Sequence, residues 1–535
     1  MPVSLDVLLV GAGPTGLALA AQLRAYGITF RLVDRSLDRV RESRALGIQP
    51  RTLEALAGFG VTERLVARGN PAMRVRLHLP RRTVSVPLFD IGLTDTPYPF
   101  LLFLSQAETE SVLGEHLATR GVSVERGTEL VRLDQQGPHA LCRLRGRDGT
   151  EEDVVARYVV GCDGAHSTVR AQAGIDFEGY AYPQTYLLAD LDVDGLEPGA
   201  VHTYMTGAGM LFFFPLGSPA PWRMLAIRPS DAPAGEVTLP LLQQIADRYG
   251  ARGLVLRDPV WMTDFRLHNR GAARYRSGPC FLAGDAAHIH SPAGAQGMNT
   301  GIQDALNLGW KIALVCRGAA PEELLETYGI ERAPVGRAVR RFTDRAFAIG
   351  AGPHPLLRFA RARLVPRIAP LAVRATAPRR RVFRTVSELA IHYRRSPAST
   401  TGGRPPRHGP RAGDRLPDLP QGLQARTAAP GWHLLLTGPP HLWPDQRLAP
   451  VLDGRAGLIT VHRGPPHLWP DQRLAPVLDG RAGLITVHRL DDRGPWPDVA
   501  QGLVRPDGHV GYVARGADLE GLRAYAARWL PTDTA

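Results

Sequence analysis

Short unbroken apolar runs recur along the chain, and four of them end on glycine or aspartate. Asp6-Val7-Leu8-Leu9-Val10 leads into Gly11-Ala12-Gly13-Pro14-Thr15-Gly16 and a Leu- and Ala-rich helical stretch. Phe30-Arg31-Leu32-Val33 ends on Asp34, and Tyr158-Val159-Val160 runs into Gly161-Cys162-Asp163-Gly164. Cys280-Phe281-Leu282-Ala283 stops at Gly284-Asp285, ahead of a helix predicted to start near Met298-Asn299. Runs of this length without alternation suit strands covered on both faces, as in a parallel sheet. Residues 176–275 behave differently: 186–191, 210–215, 223–227 and 259–266 read as antiparallel strands, and 74–88 adds strands to them. Beyond a Pro/Gly/Arg-rich linker near 397–412, Trp432-His433-Leu434-Leu435-Leu436 reads as a strand, 502–513 as a hairpin turning on Asp507-Gly508, and Leu519, Leu522, Tyr525 and Trp529 as one face of a last helix. The pattern predicts an α/β chain: a discontinuous α/β domain from 1–175 and 276–400, a β-sheet domain at 176–275 and a smaller α/β domain at 413–535.

The glycines give the discontinuous domain a Rossmann-like reading. Gly11 permits a tight turn, Gly13 lets a pyrophosphate approach backbone, and Gly16 allows close packing of helix on strand. Asp34, 18 positions after Gly16, is placed to accept ribose hydroxyls. In the later motif, Asp285 puts a carboxylate at the sheet's carboxyl edge, and a loop on Pro292, Gly294 and Gly297 brings backbone close to something flat. The helix after it turns free N–H groups and a positive dipole end toward the same place. A strand-end carboxylate, a close-approach loop and a helix start suit a nucleotide cofactor with a polyol and an electron-rich ring, which describes a flavin.

With Asp163-Gly164-Ala165-His166-Ser167-Thr168-Val169-Arg170 as the third element, residues 5–345 resemble the class A flavoprotein monooxygenases, the phenol hydroxylase and para-hydroxybenzoate hydroxylase group. The resemblance implies a bound FAD. Gly11, Gly13 and Gly16 would hold its pyrophosphate, Asp34 its adenosine ribose and Asp285 its ribityl hydroxyls. Arg44 would reach the phosphate side and Gln106 the flavin chain, while Asp163 would lie where both FAD and the passing nicotinamide are met. Pro292 would sit beside the reactive edge of the ring; with Arg44 it is the candidate for a direct part in catalysis. Backbone N–H groups of Gly297, Met298 and Asn299 would meet the pyrimidine end. The sheet at 176–275 would roof the flavin, with Phe212 and Phe214 on one strand face as candidate substrate-lining residues. The implied reaction uses NAD(P)H and O2 to hydroxylate an aromatic substrate through a flavin C4a-hydroperoxide, the substrate being phenolic or of aromatic polyketide or antibiotic type. Baeyer–Villiger oxygenation on the same scaffold is one alternative; a non-catalytic flavin-binding interaction protein is another. The C-terminal region resembles the thioredoxin-like domain of the phenol hydroxylase type; with no cysteine after Cys316 it lacks dithiol chemistry, leaving a packing role or a homodimer contact.

Composition narrows the class. There is no second Gly-x-Gly-x-x-Gly between strand and helix, so no separate nicotinamide domain is expected. The only lysine is Lys311, inside the helix after the flavin loop, and the Trp-x-Trp-x-Ile-Pro segment of flavin halogenases is absent, which excludes halogenation. Four scattered cysteines, Cys142, Cys162, Cys280 and Cys316, fit buried thiols in a reducing compartment. His288 and His290 lack further ligands at metal spacing, and no metal is expected. The net charge is +13, but nineteen arginines against three acids between Glu331 and Arg411 account for more than all of it. Without interleaved aromatics that stretch reads as a solvated helical face, not a nucleic-acid surface. No apolar run is long enough to span a bilayer and no basic leader precedes the first strand, so a cytoplasmic enzyme with no membrane partner is expected.

One feature fits no motif. Residues 438–463 recur unchanged as 464–489, a 26-residue tandem duplication carrying the strand Leu-Ile-Thr-Val twice. Two copies are too few for a solenoid. A small sheet is expected to take one copy and extrude the other as a loop, the two able to exchange places.

Overall fold

The computed structural model describes residues 3–38, 45–72, 74–79, 82–87, 92–206, 210–233, 235–291, 294–351, 376–419, 422–438, 442–443, 461–462, 485–490 and 500–530. The four apolar runs become β1 (Val3–Val10), β2 (Phe30–Asp34), β3 (Glu151–Gly161) and β4 (Cys280–Leu282). They lie side by side in the order β4, β3, β1, β2, all parallel. Val10 is level with both Val33 and Gly161, and Gly161 with Leu282, so the carboxyl ends of all four strands finish on one edge. Strands from distant parts of the chain are thereby aligned at the place where open α/β sheets bind ligands.

Two helices cover this sheet: α1 (Pro14–Ala25) and α2 (Gly297–Cys316), the latter starting within a residue or two of its predicted position. Their close approach depends on interior glycines of α2. A Cβ at Gly301 would come to 2.5 Å from the Thr15 hydroxyl, and one at Gly309 to 2.7 Å from Gln22 Cγ. Each glycine costs about 0.5–1 kcal/mol of helix stability relative to alanine; the contact it permits locks the first motif against the last. A long helix, α3 (Glu323–Ala351), then packs on α2.

The alternating segments form an eight-stranded sheet. Phe177–Asp194 and Val255–Ala272 pair along most of their length, and Trp222–Ile227, Met210–Pro215 and Ala200–Met205 follow antiparallel. Arg74–Leu79 then joins in parallel, with Arg82–Pro87 at the edge. Leu187, Phe213, Met224 and their neighbours bury one face under the helix Leu239–Arg248. At the other end, His288–Ile289 pairs with Gly271 and Arg270, so the loop after Gly284-Asp285 is stitched into this second sheet.

The C-terminal sheet runs Thr400–Gly402, Val510–Arg515, Ala500–Val504, Trp432–Thr437, Ile485–Leu490, Val461–His462. The hairpin turns where predicted, with Gly508 at φ 74°. The expectation that a single copy of the duplication enters the sheet is corrected. Ile485–Leu490 of the second copy pairs parallel with Trp432–Thr437, and Val461–His462 of the first copy adds to its far edge, with Val461 opposite Val487 and His462 opposite His488. The β-branched run Ile-Thr-Val suits a strand wherever an edge is open, and the first copy meets one in its own duplicate. Of the remaining first copy, Trp443 is buried and donates from Nε1 to Thr437 O at 3.0 Å; apart from Gly438, Leu442 and Trp443, the rest of both copies lies outside the described residues.

Candidate functional site

Each glycine of the first motif meets a different constraint. Gly11 stands at φ 102°, and a Cβ there would sit 2.4 Å from the Cys162 carbonyl oxygen. A Cβ at Gly16 would lie 1.9 Å from the Gly11 carbonyl oxygen. At Gly13 a Cβ would meet nothing within 4 Å, so that glycine faces open space at the start of α1. No side chain caps this helix, so its first N–H groups remain available. Asp34 braces the loop: Ala12 N–H donates to one carboxylate oxygen at 2.7 Å and Ser36 N–H to the other at 2.8 Å. The oxygen facing Ala12 is also 3.5 Å from the Arg126 guanidinium, while the one facing Ser36 keeps a lone pair for a ligand. Gly11, Asp34, Ser36, Thr128, Asp163, Gly164, His166 and Thr168 share a cleft of about 210 Å³.

The Asp-Gly turn forms the opposite wall. Thr168 and Val169 N–H groups donate to one oxygen of Asp163, at 2.7 and 3.2 Å. The other oxygen is buried with no hydrogen-bond partner among the described residues, and burial pushes the carboxyl upward against those donors. An orphaned carboxylate oxygen beside open glycine backbone and an uncapped helix start fits a dinucleotide with hydroxyls to donate and phosphates to accept. Arg170, given no role by sequence reasoning, ties this turn to the later motif. It donates to Ala165 O at 2.8 Å and to Ala286 O at 2.9 Å, with its guanidinium 3.8 Å from the centroid of the Phe177 ring.

Asp285 is exposed at the end of β4, where Gly284 (φ 63°) gives the chain its turn. Pro292 and Arg44 lie outside the described residues. Gly297 opens α2 and no side chain caps it, so the N–H groups of Gly297, Met298 and Asn299 begin the helix as predicted. The Asn299 side chain has a separate job. It donates to Gly47 O at 2.8 Å and to Ala295 O at 2.6 Å, and accepts from Gln49 N–H at 2.8 Å. This clamp holds the short strand Gly47–Ile48 against the loop, so close that a Cβ on Gly47 would come to 2.9 Å from that of Ala295. Gln106 begins the helix Gln106–Ala118; its N–H donates to Ala45 O and its side chain turns to Glu110. His290 donates from Nδ1 to Ser291 O, and His288 is bonded through Nε2 to Asp304 at 2.7 Å.

The second sheet faces this edge. Phe212 and Phe214 lie on one face of their strand with ring centroids 5.8 Å apart, and Phe214 packs against Phe103, Leu46 and Leu101. Arg223 is buried beside them, paired through two 2.6 Å bonds with Asp190, and it reaches Ala45 O at 3.2 Å. Arg223 is another residue that sequence reasoning left without a role. The arrangement is a polar cleft on one side and the apolar packing of Phe214 on Phe103, Leu46 and Leu101 on the other.

Behind α2 lies a buried ionic cluster. Glu331 accepts from Lys311 Nζ at 2.8 Å, from Asn307 Nδ2 at 2.7 Å, and from Arg505 of the C-terminal hairpin at 2.6 and 2.8 Å. Burial opposes charge here, but Arg505 and Lys311 outweigh it and hold Glu331 well below the ordinary carboxylate range. Lys311 is thus a structural cation.

A family model described as an FAD binding domain matches residues 4–343. The chain is 40% identical over 402 residues to 6-methylpretetramide 4-monooxygenase of Streptomyces rimosus, covering 73% of this chain and 70% of that protein. It is 34% identical over 418 residues to pentachlorophenol 4-monooxygenase of Sphingobium chlorophenolicum, covering 77% and 75%. Among solved structures, CabE, an aromatic hydroxylase from angucycline biosynthesis, is similar with a TM-score of 0.73 at 30% identity, over 98% of this chain and 99% of that one.

Proposed function

This chain belongs to the FAD binding domain family and is an FAD-dependent aromatic monooxygenase, and from that premise we propose that it hydroxylates a phenolic or polyketide-type polycyclic ring with NAD(P)H and O2. The observation that carries the reading is the single edge on which Gly11, Asp34, Asp163 and Asp285 meet, opposite the apolar face bearing Phe212 and Phe214. Gly11, Gly13 and Gly16 would cradle the pyrophosphate at the start of α1. Asp34 would take the adenosine ribose, Asp285 the ribityl chain, and Arg44 and Gln106 the flanks of the cofactor. The bound flavin supplies the electron transfer and oxygen activation. The residues do the rest. The start of α2 at Gly297, Met298 and Asn299 offers N–H groups and a positive dipole end to negative charge gathering at the pyrimidine side of the ring. Pro292, by the family resemblance, would sit beside its reactive edge. Phe103, Phe214, Leu46 and Leu101 keep water from the space between the sheets, and Phe212 and Phe214 present flat surfaces to a flat substrate. The C-terminal module, read as thioredoxin-like, serves packing rather than redox chemistry, since no cysteine follows Cys316.

The test is product analysis after turnover under labelled dioxygen with a panel of phenols and polycyclic polyketide aromatics. One labelled oxygen in a new ring hydroxyl is the expected result. Label in a newly inserted ester oxygen means Baeyer–Villiger chemistry instead, and NAD(P)H oxidation that no aromatic compound accelerates removes the proposal.

A further inference from the structure

Glu388 carries two costs that a glycine in its place would avoid. It is a non-glycine residue at φ 62°, in the left-handed region that side chains rarely adopt. Its carboxyl group is also buried, with only 1% of the residue exposed, and it makes no ion pair among the described residues. Its two oxygens point at α2. One accepts from the Thr300 hydroxyl at 3.0 Å and the other from Gln303 Nε2, so both partners are neutral donors in the first two turns of the helix that starts at Gly297. The neighbouring backbone is docked to the same spot: Gln296 Nε2 donates to Val386 O at 2.6 Å, and Arg51 N–H donates to Ser387 O at 3.3 Å.

The charged groups around it are otherwise engaged. Arg332 of α3 is bonded to Asp304, Thr300 O and the Tyr393 hydroxyl, and Asp304 of α2 is shared with His288. Arg51, on the helix Pro50–Leu56, is paired with Glu54 and bonded to Asp507 O. Burial pushes the Glu388 carboxyl up to about 7, against the pull of Arg332, Thr300 and Gln303.

We propose that Glu388 is a positioning residue whose charge is coupled, through the first turns of α2, to electron uptake by the cofactor. This rests on the reading that the start of α2 faces the flavin. A carboxylate behind Thr300 opposes the positive end of the helix dipole and makes reduction harder; a neutral carboxyl restores it. Hydride transfer from NAD(P)H would leave the nicotinamide oxidised and add two electrons and one proton to a bound flavin; Glu388, where ionised, would then take one proton from water, with no bond broken in the protein. The residue joins a segment outside the parallel sheet to α2 and would act through Thr300 and Gln303 of that helix.

The experiment measures the midpoint potential of the bound FAD between pH 5.5 and 8.5 in wild type, Glu388→Gln and Thr300→Val holoenzymes, with proton uptake on reduction followed by an indicator dye. The yellow holoenzyme is checked first: if wild type binds no FAD, the functional reading fails before this one is reached. Glu388→Gln mimics the protonated form. Its potential is expected to match wild type at pH 5.5 and to lie above it at pH 8.5, with less proton uptake near pH 7. Thr300→Val removes a donor to the carboxylate and is expected to move the wild-type inflection to higher pH without abolishing it, which provides a second arm should Glu388→Gln fold poorly. Parallel curves for wild type and Glu388→Gln, or an unmoved inflection in Thr300→Val, overturn the proposal.

Discussion

Gly13 separates folding from ligand binding more cleanly than any other glycine of the first motif, because a Cβ there would meet no atom within 4 Å among the described residues. Gly13→Ala is expected to leave the melting temperature of the apoprotein unchanged and to weaken FAD binding by about tenfold or more, about 1.4 kcal/mol, as the methyl intrudes on the pyrophosphate. Fluorescence titration of the apoprotein with FAD checks it; unaltered affinity would move the phosphate site elsewhere. Gly16→Ala should instead fail to fold, since its methyl meets the Gly11 carbonyl oxygen. Glycine roles of this kind were legible in the sequence because a tight turn is a local demand. Arg170, Arg223 and Glu388 were not, because their partners stand 116, 178 and 88 residues away. Asn299 was half legible: the helix start could be foreseen, but not the clamp on Gly47 and Gln49.

Whole elements were easiest to foresee where a run was long and its period clear. Met210–Pro215 appears with its predicted bounds, and the run at 259–266 is the middle of the longer strand Val255–Ala272. The short strands Gly47–Ile48, Asn70–Ala72 and Leu101–Phe103 carry too few residues to show a period, yet they pair into one small sheet that Asn299 clamps to the start of α2. The duplication misled for a different reason: a sequence repeat says how many strands are available, not how many edges are open to them. Excising residues 464–489 joins Arg463 to Leu490 and leaves an identical strand to lie against Trp432–Thr437. The shortened protein is expected to keep its FAD content and turnover, read from its flavin absorbance and product yield. Loss of soluble protein would show that the two strands are needed together.

At the scale of the molecule, the C-terminal module is fused to the FAD-binding unit. Trp310 of α2 meets Trp432 edge to face at 5.4 Å, and Arg505 joins Lys311 in neutralising Glu331 while also pairing with Asp507. Arg505→Met should remove the cation that the buried carboxylates Glu331 and Asp507 share and cost about 3–5 kcal/mol, measured by chemical denaturation. The surface pair Arg143–Asp153 offers the contrast, and Arg143→Met should leave the unfolding midpoint within error. A small effect of Arg505→Met would mean that the module is only loosely attached. Sequence composition hinted at none of this, because its arginine excess reads as solvated surface until the partners are in place. The strand order has a consequence for biogenesis. Thr15 is made early, but the Gly284 and Gly301 backbone it packs against, and the Arg505 that steadies the helix behind them, emerge from the ribosome much later. The nascent chain therefore exposes the Gly11–Gly16 turn before β4 and α2 exist to pack on it, and the edge they build together closes only after Cys316 has been translated.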